Sequence, residues 1–336
     1  MSKVHVFDLW TRLRCAAISV IVLCVASGSS SRSTRIAPLV IPLSHINVLE
    51  PMVTQDPDLS EAVADGQREV MLEPSSATAW MRLGMIYDIH EHMLEAVECY
   101  GRAVRLAPDD AQATYFLAHA LDQADAPVGE IELAYQRAIQ LAPRYAPARL
   151  RLAEALFKVG LVEKARAAFE GAIRTYPPRQ AARARRGLGN LQLASDEIEA
   201  GVASLESVVA IRADDGPTWS GLSRGYLRLG RHADSMMAAE RSQGLVDRLG
   251  YFDEWRLAVL EEAVMPVLVE QRINAKMGMG RPEDAMADAL RWERRHPDWP
   301  SIKRLIGNLY RELGREELAQ QYFEAAKQTV IKRYNK

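Results

Sequence analysis

Residues 79–108 read AWMRLGMIYDIHEHMLEAVECYGRAVRLAP, and the fold turns on what spaces the large and small side chains in this stretch. Trp80, Leu83 and Tyr87 recur at helical intervals with Gly84 beside them, and Ala96, Tyr100 and Ala103 do so again before Pro108. Two amphipathic helices joined by a turn satisfy both sets. The same spacing returns downstream: Tyr135, Ala138 and Pro143 lie 35 positions after Tyr100, Ala103 and Pro108, and Phe169, Ala172 and Pro177 lie a further 34 on. Later copies run through Leu188, Gly189, Gly201 and Leu205, then Trp219, Leu222, Tyr226 and Gly230, then Gly280, Ala285, Ala289 and Pro297. A last copy holds Ile306, Gly307, Tyr310, Gly314, Ala319, Phe323 and Ala326.

These landmarks serve packing rather than catalysis. Gly84 in a helix interior costs about 1 kcal/mol relative to alanine, a cost that is offset if the bare backbone lets the partner helix approach at Ala96. Gly160, Gly230, Gly280 and Gly314 fall where a first helix turns into a second and are expected in the left-handed conformation; Glu91 stands at the equivalent place in the first copy. Pro108, Pro143, Pro177 and Pro297 stop the second helices.

In register over several copies, the pattern resembles the tetratricopeptide-repeat family, whose 34-residue unit carries W-x2-L-G-x2-Y, then A-x3-F, then proline. The resemblance implies an all-α fold, a right-handed superhelical solenoid of antiparallel helix pairs. It divides the chain into a degenerate half-repeat at 59–76, five repeats at 77–249 with breaks near 124–128 and 180–181, an inserted helix at 250–265, two C-terminal repeats at 266–333 and a tail at 334–336. A kink or change of curvature is expected at the insert.

The N-terminus differs in kind. Lys3, Arg12 and Arg14 precede an uncharged run from Cys15 to Gly28, which reads as an export signal over 1–28, or as an uncleaved anchor that would be the only tie to a membrane. The protein is therefore expected to be exported, periplasmic or envelope-associated. Residues 29–58, broken by Pro38, Pro42, Pro51 and Pro57, read as an extended leader that lies along the body. Removing the signal takes Cys15 and Cys24 with it and leaves Cys99 alone, so no intramolecular disulfide is expected.

The 336 residues carry a net charge of −2, so no global field draws the chain to nucleic acid, and no nucleic-acid partner is expected. The basic run RQAARARR at 179–186 lacks the aromatic residues that base stacking needs. In DIHEHMLE, Asp88, His90, Glu91, His92 and Glu95 are metal-competent, but their spacing matches no metal-protease motif. No nucleophile elbow, phosphate loop, dinucleotide fingerprint or haem-attachment motif is present; neither cofactor nor enzyme activity is expected.

The family resemblance also implies a ligand face, since the first helix of each repeat lines a groove. Counted from Ala77, it places Met81, Met85, Tyr115, His119, Leu150 and Phe157 in an apolar first part. Lys158, Arg183, Arg186, Asn190, Arg224 and Arg228 fall in a basic middle, and Arg304, Asn308 and Arg311 in the last repeat. Arg186/Asn190 and Arg304/Asn308 match half of the clamp with which some members hold a terminal carboxylate, although Gly221 replaces the asparagine of the next repeat. The expected function is a non-enzymatic scaffold for a protein or an extended peptide with acidic groups. An accessory subunit of an envelope redox or assembly complex, and a metal-dependent enzyme using the His90/His92 turn, are the alternatives.

Overall fold

The computed structural model describes residues 47–334 apart from 53, 55, 248 and 250–252. The export reading of 1–28, with Cys15 and Cys24, lies outside the described residues, as do 29–46 of the leader and 335–336 of the tail.

Among the described residues there are helices and no strands. A single helix α1 (Pro57–Leu72) comes first. Five antiparallel pairs follow: α2 (Ala77–Ile89) with α3 (Met93–Leu106), α4 (Ala111–Gln123) with α5 (Val128–Leu141), and α6 (Ala146–Lys158) with α7 (Val162–Thr175), then α8 (Ala182–Ala194) with α9 (Ile198–Val209) and α10 (Gly216–Arg228) with α11 (His232–Ser242). The short α12 (Glu254–Glu261) precedes two further pairs, α13 (Pro266–Gly278) with α14 (Pro282–Arg295) and α15 (Pro300–Glu312) with α16 (Glu316–Tyr334).

Local chemistry sets the ends. Asp56, Ser76, Asp110, Asp215 and Asp253 each accept a backbone N–H of the first turn of the helix that follows, satisfying donors that the helix cannot. Between the helices of a pair, Gly160, Gly230, Gly280 and Gly314 have φ between +70° and +77°. In the three pairs without glycine there, Glu91, Asp125 and Asp196 take the same conformation, at φ +65°, +50° and +67°.

Three second helices seat an aromatic ring against a glycine. A Cβ on Gly84 would lie 2.7 Å from the Tyr100 ring, and one on Gly307 would lie 2.5 Å from Phe323; Gly187 is filled in the same way by Phe169 of the preceding pair. The close approach expected at Ala96 is thus made by Tyr100, because the ring rather than the methyl group reaches over the glycine. Trp80, Leu83, Tyr100, Phe116, Tyr135 and Phe169 are buried in one core that runs through the first repeats, each contributing about 1.5–3 kcal/mol of burial. The second helices α3, α5, α7, α9 and α14 pack on the first helix of the next pair, and α4, α6, α8 and α10 also touch in succession.

The described part of the leader lies against this core. Gln67 donates to the carbonyls of Val48 and Glu50 at 2.9 and 2.8 Å, and the Tyr87 hydroxyl donates to Val48 at 3.0 Å.

At the insert, α12 packs on α2 and on α13, and Val259 joins the N-terminal core. The physical reason is the composition of 253–263, whose carboxylates, tryptophan and arginine find partners on the first helices rather than on α11. The C-terminal pairs have their own core, built on Ile273, Trp292, Ile302 and Ile306, and Arg295 of α14 is 2.8 Å from Asp58 of α1.

Candidate functional site

The face formed by the first helices is where the chain's polar chemistry gathers, and a segment of the chain occupies it. Asp247, Leu249 and Asp253–Ala263 run across α8, α6, α4 and α2 in the order opposite to the repeats. Arg186 holds Asp247 with two hydrogen bonds of 3.0 and 2.9 Å while also donating to Asp215 at 3.0 Å. Arg183 donates to Glu154 at 2.8 Å and to the Leu249 carbonyl at 2.9 Å. Burial opposes the charge on Asp247, but the Arg186 guanidinium outweighs it and holds this carboxyl below the usual range.

Further along, one carboxylate organises three side chains. Asp253 accepts the hydroxyls of Tyr115 and Tyr145 on its two oxygens, and Arg151 lies 3.7 Å from it while donating to the Tyr115 hydroxyl at 3.1 Å. Burial, with the neighbouring Asp253 charge, pushes the Tyr115 and Tyr145 phenols upward, so both remain donors. Trp255 stacks on Tyr145 with ring centroids 3.6 Å apart and meets Tyr115 edge-on at 5.6 Å. Arg256 then pairs bidentately with Asp88, which also accepts the Tyr100 hydroxyl at 3.1 Å. Burial disfavours the Arg256 charge and Asp88 restores it. Arg82 closes the series, donating to Glu69 at 2.6 Å and to Glu262 at 3.3 Å.

The expected groove residues divide accordingly. Met85, Tyr115, His119 and Leu150 are buried, and Met81 and Phe157 are half-buried against the same core. His119 is kept neutral: burial lowers its pKa well below the ordinary value, and Arg256 and Arg151 add to the effect. The basic middle needs correction. Arg183 and Arg186 are spent on Glu154, Asp215 and Asp247, because carboxylates from α6, the start of α10 and the stretch that follows α11 converge on α8. Lys158 pairs with Asp125 at 2.8 Å, and Arg228 pairs with Asp196 and the Leu193 carbonyl. Arg224 and Arg304 are exposed, Arg304 reaching Ser301 at 3.4 Å.

Neither carboxylate half-clamp is assembled. Arg186 is turned to Asp215 and Asp247, and the Asn190 side chain fills the space above Gly221, where a Cβ would lie 3.1 Å from its oxygen. Asn308 accepts from Arg311 at 3.0 Å, away from any pairing with Arg304.

The turn at Asp88–Glu95 also changes meaning. Asp88 and His90 are buried rather than facing water, and burial is the main influence lowering the His90 pKa. Among the described residues no three His, Cys, Asp or Glu side chains converge as a metal set. Cys99 is fully buried, and burial raises its thiol pKa, so it packs as a small apolar residue. No described helix is long and apolar enough to cross a membrane. A cleft of about 880 Å³ lies where α1 meets α14 and α15, lined by Asp56, Asp58, Trp292, His296 and Trp299 among others.

Sequence reasoning missed Asp88, Tyr145, Asp215, Asp247, Asp253, Trp255 and Arg256 as parts of this face. One signal was present: DEWR at 253–256 belongs to no repeat, yet holds a carboxylate, an aromatic ring and a guanidinium within one helical turn.

Helix pairs whose first member always spans 13 residues, glycine-seated aromatic rings and left-handed inter-helix residues define a helical-repeat solenoid. Models described as tetratricopeptide repeat match residues 90–146, 132–185 and 305–328. The chain belongs to the tetratricopeptide-repeat family. Over 279 residues it is 25% identical to the RNA polymerase-associated protein CTR9 of Caenorhabditis elegans, covering 80% of this chain and 24% of that protein. The chain thus spans about a quarter of the length of that relative. Among solved structures, a MamA protein superposes with a TM-score of 0.46 at 16% identity over 49% of this chain and 89% of that one. PilF of Pseudomonas aeruginosa gives 0.45 at 14% identity over 71% and 97%. YrrB, described as a TPR protein with an unusual peptide-binding site, gives 0.46 at 11% identity over 53% and 90%.

Proposed function

We propose that this protein is a non-enzymatic scaffold that holds an extended segment of a partner protein across its first-helix face, with acidic groups on that segment among the contacts. One observation carries the reading: Asp247, Leu249 and Asp253–Ala263 lie on the first helices of four repeats, and carboxylate, aromatic ring and guanidinium each meet a complementary group. Helical repeats create extended ligand faces of this kind. The basic positions that remain open to a partner are Arg224 and Arg304. Export by residues 1–28, giving a periplasmic or envelope-associated protein, is part of the same proposal.

The test is affinity capture from an extract of the native cell envelope, comparing wild type with an Arg224→Glu/Arg304→Glu variant. A partner retained by the first and lost by the second is the expected result. Equal retention would move the contact elsewhere, and no retained protein would sink the scaffold reading. Sequencing the N-terminus of the mature protein tests export, with a new terminus near Gly28 expected.

A further inference from the structure

The geometry points to Asp253–Ala263 as a built-in competitor: it occupies the partner's place on α2, α4 and α6, carries the partner's recognition chemistry, and must leave before the partner binds. This inference rests on the first-helix face being the binding surface.

What the face would lose on release specifies what must replace it. The Asp88 side chain is fully buried beneath Arg256, so an incoming segment must bring a cation there or leave a carboxylate unpaired. Tyr115, Tyr145 and Arg151 all aim polar groups at Asp253, so the segment must bring a carboxylate to them. The Tyr145 ring, covered by Trp255 at 3.6 Å, calls for an aromatic plane between the two charges. Asp253 and Arg256 are three residues apart, one helical turn, which puts both charges on one side of a short helix. The partner class is therefore an acidic–aromatic–basic segment in the order and spacing of D-x-W-R.

The segment is also suited to leave. Its eight-residue helix has one fully buried apolar residue, Val259, and helices this short are unstable alone. Its Glu262–Arg82 pair is partly open to water, with side chains 21% and 38% exposed, while its far end stays tied to α13, where Arg272 donates to the Glu261 and Ala263 carbonyls at 2.8 Å. Because it is tethered, it competes at a high effective concentration, and an external segment binds with its affinity reduced by the fraction of open face.

The probe is a fluorescent peptide of residues 253–263, DEWRLAVLEEA, titrated into the full chain and into a Trp255→Ala/Arg256→Gln variant whose helicity is checked by circular dichroism. The variant is expected to bind at least about tenfold more tightly than wild type. Peptides carrying Asp253→Asn or Trp255→Ala should lose that binding. Equal binding to both chains, or none to a folded variant, overturns the inference. Should the variant not fold, hydrogen exchange on wild type decides: excess peptide should speed exchange of the chain's own 253–263 amides, and unchanged exchange overturns it. Failure of the scaffold reading is distinct, because it shows as no captured partner for either chain, whatever the peptide does.

Discussion

The first four repeats and the last two share one pattern and use their first-helix faces differently. In the first four, inner positions such as Asp88, Tyr115 and Arg186 are bonded to the chain's own later residues Arg256, Asp253 and Asp247. In the last repeat Arg304 stays in solvent and Asn308 bonds only its neighbour Arg311. Repeat landmarks therefore decide how helices pair, while what covers their inner face is decided by residues outside the repeat. A buried arginine and an exposed one can occupy equivalent positions for that reason.

Removing a charge from the covered face should give the largest effect. Asp88→Ala leaves the half-buried Arg256 and the buried Tyr100 hydroxyl without their carboxylate and should cost about 3 kcal/mol, whereas Arg304→Ala should stay within about 0.5 kcal/mol; urea melts of the two variants check the contrast. Comparable losses would erase the distinction between the regions.

The glycine seats should then show what the regions share. Gly84→Ala and Gly307→Ala both drive a methyl group into an aromatic ring, and each should cost about 1–3 kcal/mol by overpacking. A loss in one alone would mean that the seats are not equivalent.

Acid should act through the covered face. His119 has a folded pKa held well below its unfolded value, so its contribution is complete above about pH 6.5. It is lost as the pH falls from there toward the lowered folded value, since the unfolded chain takes up the proton first. Melting between pH 7.5 and 5 should therefore show falling stability, by up to about 1.4 kcal/mol per pH unit for one proton. His119→Gln should flatten part of that slope, and an unchanged slope would remove His119 from the account.

The smallest effect is a gain. Glu91 holds a left-handed backbone at φ +65°, which costs a residue with a side chain about 1–2 kcal/mol. Glu91→Gly relieves that strain but adds chain entropy, so a rise of about 0.5–1 kcal/mol is expected in thermal melts. A fall would show that the Glu91 side chain contributes to the turn.

Much of the fold was legible in the sequence because repeats write it many times over. Gly160, Gly230, Gly280 and Gly314 take the backbone expected of them, and the helix pairs fall where Tyr100, Tyr135 and Phe169 place them. The face was less legible. Inner positions could be counted on each helix, but Arg186 gave no sign of turning to Asp247, 61 residues away. Such a pairing depends on a chain path that occurs once, and periodicity carries no information about a segment outside the period. Asp88 was hidden differently: it sat among other charged residues at a turn, and its burial depends on Arg256, 168 residues later.

That separation has a consequence in time. Stacked repeats ordinarily fold against neighbours as they emerge, with contacts close in sequence. Here the pairing of Asp88 with Arg256 waits for 168 further residues, and at about 5–20 residues per second synthesis of that stretch takes roughly ten to thirty seconds. Through that interval the growing first repeats carry Asp88 and Tyr115 without Arg256 and Asp253, so the packing of these repeats can form before the partners of their two buried polar groups exist.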